Sequence, residues 1–146
     1  MTGFLRPVEW LAFDASYTYS WADFRSTRGG QDRIPGAIES VVSAGATITA
    51  GPLSGSLRVR HFGAYPLNEE NSQRAGGTTL VNLGANYDCR RFRLGLTVAN
   101  LFDSKDSDIE YFFPSRLPGE PLAGEEDVHL HPAAPRQVRA TVSARF

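Results

Sequence analysis

The chain has 146 residues, the length of one ordinary domain, and its 15 basic and 16 acidic residues give a formal net charge of −1, so no global field points to nucleic acid. Hydrophobic residues make up 41%, low for a packed globule, while the 14 glycines are joined by abundant Ser and Thr, a mixture that suits strands apolar on one side only. The single cysteine, Cys89, excludes an internal disulfide and any cysteine-based metal cluster.

The opening stretch MTGFLRPVEW has no apolar run of the signal-peptide kind. Leu11, Phe13, Ala15, Tyr17, Tyr19 and Trp21 then alternate with Ala12, Asp14, Ser16, Thr18 and Ser20, the period-2 signature of a strand with one dry and one wet face. The run is long for a globular strand, which averages about five or six residues, and matches the roughly nine to eleven that a tilted membrane strand needs. Residues 25–36, RSTRGGQDRIPG, read as a polar loop. The uncharged run 40–57 approaches the length of a membrane helix, but Gly, Ser, Thr and Pro52 rule that out.

Instead, Val42, Ala44, Ala46 and Ile48 oppose Ser43, Gly45, Thr47 and Thr49, and GPLSG at 51–55 forms a tight turn. Leu57 and Val59 oppose Ser56, Arg58 and Arg60 in the next strand, with His61 and Phe62 breaking its parity before Gly63 and Tyr65. After a polar connection at 66–77, Thr79, Val81, Leu83, Ala85 and Tyr87 oppose Asn82, Gly84, Asn86 and Asp88. DCRR (88–91) turns the chain into Phe92, Leu94, Leu96 and Val98, opposite Arg93, Gly95 and Thr97. The segment 114–135, with five prolines and the acidic run 125–127, reads as loop. The chain closes on PRQVRATVSARF, where Val138, Ala140, Val142, Ala144 and Phe146 alternate with Arg139, Thr141, Ser143 and Arg145.

These patterns predict six antiparallel strands in three hairpins near 8–24, 38–50, 55–65, 78–88, 92–102 and 136–146, with no helix. Their connections run long, short, long, short, long, which gathers the short turns at one end and the long loops at the other, the asymmetry of outer-membrane barrels. Tyr87, Phe92 and Phe146 fall at the short-turn end and Tyr19, Trp21, Tyr65 and Tyr111 toward the loop end, as two aromatic girdles would require. A soluble antiparallel sandwich, acting as a binding module, shares the period-2 pattern but explains neither strand length nor loop asymmetry.

The motifs IPGA (34–37), GAYPL (63–67), LVNLGANY (80–87), NLFD (100–103) after LTVA, SRLPGEP (115–121), HLHPAAPR (129–136) and the final aromatic of SARF occur in an order that resembles the C-terminal part of a TonB-dependent outer-membrane receptor. The resemblance covers nearly the whole chain. It implies an all-β antiparallel transmembrane segment of a larger barrel of about 22 strands whose lumen holds an N-terminal plug. Residues 1–146 are then the C-terminal part of the barrel domain, with the plug absent, as from a truncated gene product or a split reading frame. A partial sheet carries open edges that lipid does not tolerate, so the chain is not expected to transport alone.

The implied function is TonB-energised uptake of a scarce nutrient such as a metal chelate across the outer membrane of a Gram-negative cell, with a passive pore as the competing class. The implied partners are outer-membrane lipid, the barrel-assembly machinery and the remainder of the receptor, with TonB engaged only through the missing N-terminal part. Arg58, Arg60, Arg93, Arg139 and Arg145 lie on wet faces and are candidates for lining the lumen, where they would charge the permeation path or pair with a plug. In families of this kind the C-terminal aromatic strand is an assembly signal, which falls here on Val142 and Phe146.

No enzymatic activity or cofactor is expected, because no nucleophile elbow or HExxH spacing occurs and Ser115 with a loop histidine is the only arrangement worth testing. His129 and His131, near Glu125, Glu126 and Asp127, could in principle gather a metal, but a solvated loop in which His131 precedes Pro132 as turn chemistry is the far better reading, and no metal site is assigned.

Overall fold

A computed structural model describes residues 1–25, Gly29 and residues 31–144; Arg145 and Phe146 lie outside the described residues. Seven strands form one sheet: β1 (Thr2–Val8), β2 (Leu11–Tyr19), β3 (Ser40–Ala50), β4 (Leu53–Phe62), β7 (Thr78–Asp88), β8 (Phe92–Ala99) and β11 (Gln137–Ala144). Two small hairpins stand in the loops, β5 (Tyr65–Pro66) with β6 (Arg74–Ala75) and β9 (Ser107–Ser115) with β10 (Glu125–Pro132). The sheet order is β1-β2-β3-β4-β7-β8-β11, each strand antiparallel to the next, and the sheet is not closed. No helix occurs among the described residues.

Register carries the alternation across the sheet. Leu5, Phe13, Ala46, Leu57, Leu83, Val98 and Val138 pair in one row, and the adjacent row runs Phe4, Asp14, Gly45, Arg58 and Asn82. One face is therefore apolar from edge to edge and the other largely polar. Phe13, Leu57, Leu94, Leu96, Val138 and Val142 are all exposed, with no second sheet packed on them among the described residues, which excludes the sandwich.

Four differences from the sequence reading have physical causes. β1 was not expected, because Pro7 and a register shift between Leu5 and Val8 scramble its alternation. The segment 114–135 is not all loop. Glu125–Pro132 pairs with Ser107–Ser115, and Pro114 and Pro132 sit at strand ends of a two-stranded hairpin, where every strand is an edge that tolerates proline. His61 and Phe62 do not interrupt β4, which stays in register through Val41↔Phe62 and Phe62↔Thr78. Tyr65 is not part of a girdle, being only 8% exposed inside a small loop core.

The connections split as the lengths imply. Residues 9–10, 51–52 and 89–91 turn the sheet at one end, and residues 63–77, 100–136 and the described residues of the connection between β2 and β3 lie at the other. Trp10, Tyr87 and Phe92 are exposed near the first end and Tyr19 and Trp21 near the second, whereas Tyr111 belongs to the β9–β10 hairpin rather than the sheet and Phe146 lies outside the described residues.

Candidate functional site

The polar face is organised by close approaches. The Arg58 Nη1 donates to Asp14 Oδ2 at 2.8 Å, joining β4 to β2 across the intervening β3. Gly45 lies beneath this pair, where a Cβ would meet Asp14 Oδ1 at 2.8 Å and Arg58 Nη1 at 2.9 Å. Arg93 forms a two-pronged pair with Asp88, Nε and Nη2 each 2.8 Å from a carboxylate oxygen. Arg60 and Arg139 share this face but have no charged partner among the described residues. Register thus brings Arg58, Arg60, Arg93 and Arg139 to one surface, and Arg145 lies outside the described residues.

At the loop end a second layer leans over this face. Thr78 Oγ1 donates to the Ser107 carbonyl at 2.6 Å, and a space between the layers is lined by Phe62, Thr78, Tyr65 and Glu110. Tyr65, Leu67 and Ala75 form its core, flanked by Ile38, Phe112 and Val128. The Tyr65 hydroxyl accepts from the Glu110 amide at 2.9 Å, so the buried phenol is satisfied while it fixes the β9–β10 hairpin over the sheet.

The NLFD segment fastens that layer. Asn100, 5% exposed and at φ 50°, donates Nδ2 to the carbonyls of Ser104 and Ala134, each at 3.0 Å, and its Oδ1 accepts from the Ser104 amide at 2.9 Å. Its own amide donates to Asn82 Oδ1 at 3.0 Å. Asp103 accepts from the Arg136 amide at 2.9 Å and pairs with Lys105, while Asp106 accepts from the Thr79 amide at 3.1 Å. The sequence singled NLFD out as a motif but gave no sign of this role, because the partners it fastens, Asn82, Ala134 and Arg136, lie 18 to 34 positions away along the chain.

The Arg136 amide, with Lys105, holds the Asp103 carboxyl below its ordinary range, and the Thr79 amide, with the Ser104 hydroxyl, does the same for Asp106. A carboxyl depressed on folding stabilises above its unfolded value, about 3.9, and loses that contribution as pH falls through its folded value. The clasp should therefore hold at pH 5 to 8 and loosen only in stronger acid. The amide shifts of Thr79 and Arg136 should titrate with midpoints below about 3.9; midpoints at or above that value would show the contacts to be absent in solution.

His129 and His131 do not converge. The His129 ring stacks on Phe113 with centroids 4.0 Å apart and has a buried Nε2 without a hydrogen-bond partner, whereas His131 faces Asp108 at 3.9 Å. No group of three or more His, Cys, Asp or Glu suited to a metal occurs among the described residues. Ser115 and His129 both border an acidic hollow with Glu120 and Glu125, but Ser115 pairs with Glu125 and His129 with Tyr111, four positions apart along the hairpin, and no hydrogen bond joins them.

A larger cavity of about 450 Å³ opens where three segments meet: residues 31–35, the tip of the β5–β6 hairpin and the strands of the β9–β10 hairpin. Its walls combine Leu67, Phe112 and Phe113 with Glu69, Glu70 and Glu126, a volume within the range of small-molecule sites.

A family model described as TonB dependent receptor-like, beta-barrel matches residues 2–101. Among solved structures, the siderophore receptor PiuA from Acinetobacter baumannii is similar with a TM-score of 0.69 at 15% identity, over 93% of this chain and 20% of that one. The chain thus spans about a fifth of the length of that receptor, and the likeness is one of fold. No curated protein matches the chain.

Proposed function

The chain belongs to the TonB-dependent receptor β-barrel family, an outer-membrane family of receptors and transporters, and from that premise we propose that it forms part of the wall of a receptor for energised uptake of a scarce nutrient such as a metal chelate. The observation that carries this is the single open sheet, apolar on one exposed face and arginine-bearing on the other, with its loop layer at one end. On this reading the apolar face meets lipid and the polar face meets the lumen. Residues 1–146 are then a C-terminal portion of the barrel domain, and the remaining strands and a plug come from elsewhere in the receptor.

In such a lumen Arg58 and Arg93 are already neutralised by Asp14 and Asp88, so of the described candidates Arg60 and Arg139 are available to a plug carboxylate or a permeating anion. TonB acts through the plug-bearing part. The test is uptake of labelled iron chelates by cells with and without the receptor gene. Loss of uptake on deletion, and equally on collapse of the inner-membrane proton gradient, is the expected result. Uptake that persists without energy would identify a passive pore.

Assembly provides another test. Val142 is exposed on the apolar face, paired with Leu94, and Phe146 continues the same parity in sequence, in keeping with a terminal signal read by the barrel-assembly machinery. Deleting Phe146 from the receptor should lower the amount assembled in the outer membrane severalfold with synthesis unchanged, and Phe146→Tyr should be far milder. Should assembled levels stay at wild type while only the melting temperature moves, Phe146 contributes burial alone, roughly 1.5–3 kcal/mol for a fully buried Phe.

A further inference from the structure

The turn end of the sheet carries two uncommitted arginines. Residues 89–91 join β7 to β8, and the Cys89 amide closes this turn on the Phe92 carbonyl at 2.8 Å. Arg90 and Arg91 are exposed within it, and no hydrogen bond or ion pair joins either side chain to another of the described residues. Arg93, by contrast, is held by Asp88 on the polar face.

Other acids are too far away to neutralise the pair. Of the remaining turns at this end, residues 51–52 bear no charge and residues 9–10 bring one acid, Glu9. In the sheet order the β1–β2 turn and the β7–β8 turn stand four strand spacings apart, about 19 Å, roughly twice the distance over which salt screens a charge. The acids of the loop layer lie at the opposite ends of the strands.

The same end marks where a membrane surface would lie. Leu53, Tyr87 and Leu94 pair in one row of the apolar face, and together with Phe92 they are exposed. Tyr87 is the last residue of that face before the turn and Phe92 the first after it. Exposed rings at the rim of an apolar face mark the boundary between hydrocarbon and headgroups. A face that meets lipid as far as Tyr87 and Phe92 therefore sets Arg90 and Arg91 at headgroup height.

We propose that the β7–β8 turn binds the headgroup of an anionic phospholipid, with Arg90 and Arg91 on its phosphate and its acyl chains along Leu53, Tyr87 and Leu94. A guanidinium offers a phosphate two parallel hydrogen bonds, and an anionic surface attracts each arginine beside it. A zwitterionic headgroup presents the same phosphate with a cation of its own, which cancels that attraction. The proposal rests on the receptor reading for the apolar face's meeting lipid; the choice of an anionic headgroup follows from the turn.

The experiment uses the receptor reconstituted in phosphatidylcholine vesicles that carry a trace of photoreactive phosphatidylglycerol or photoreactive phosphatidylcholine, each with its crosslinking group on the acyl chain beside the headgroup. Adducts are mapped to residues after irradiation. Residues 87–94 should take the phosphatidylglycerol probe at least about fivefold more than the phosphatidylcholine probe, the attraction of one arginine to an anionic surface. Arg90→Gln with Arg91→Gln should bring that ratio to unity, Arg90→Lys with Arg91→Lys should keep most of it, and Arg60→Gln, on the polar face, should leave it unchanged. Equal labelling of 87–94 by the two probes, or a ratio that the double glutamine variant retains, overturns the proposal. If Leu53 and Leu94 are then still labelled by both probes, the lipid-facing reading survives that failure; labelling of neither residue by either probe removes the receptor reading and the proposal with it.

Discussion

Leu57→Arg in the receptor should cost about 2–4 kcal/mol of folding stability in bilayers, the penalty of an arginine at mid-height on the lipid face of a barrel. Leu57 is the fifth of the ten residues of β4 and is exposed in the apolar row between Ala46 and Leu83. Thr47→Arg tests the other face. Thr47 pairs with Ser56 on the polar side, so an arginine there should stay within about 0.5 kcal/mol of wild type. Denaturant unfolding of both variants in the same vesicles measures the difference. Equal costs would mean that the two faces are not divided between lipid and water.

Asn100→Ala should release the loop layer without unfolding the sheet. The substitution strips two carbonyls, of Ser104 and Ala134, and the Ser104 amide of their partner, and it leaves alanine at φ 50°. An unpaired buried polar group costs roughly 1–3 kcal/mol and a left-handed non-glycine residue roughly 1–2, so a local loss of about 3 kcal/mol or more is expected. The readout is hydrogen exchange at Ser104 and Arg136 together with protease cleavage within 104–135. Asn100→Gly separates the terms, since glycine tolerates the backbone angle and loses only the side-chain bonds. Protection unchanged in Asn100→Ala would show that the hairpin is held by the Tyr65 core instead.

Much of the sheet was legible because a two-sided wall imposes polarity at every second residue, and Leu11–Tyr19, Ser40–Ala50 and Thr78–Asp88 obey it. The connection lengths alone divided loop end from turn end. Thr2–Val8 escaped because a bulge and Pro7 break the period, and Glu125–Pro132 because charge and proline mimic loop composition in a strand with one open edge. The arginine faces could be read from parity, but their partners could not. Asp14 lies 44 residues from Arg58, and only the register of three strands brings them together. The cavity was not legible at all, since its walls come from three separate segments whose meeting depends on the Tyr65 core.

The Asp14–Arg58 pair has a consequence for how the wall zips together. A slip of β3 that keeps its faces correct must move by two residues, and it would bring Ser43 or Thr47 beneath the pair in place of Gly45. Either residue carries a Cβ that would press on the tips of the Asp14 and Arg58 side chains, which must shift to admit it, and Gly45 is the sole glycine of the strand. A misaligned strand would therefore push the two charges from the positions in which they meet. The staple acts as a proofreader of alignment, rewarding one register among those that hydrophobic alternation alone leaves equally good.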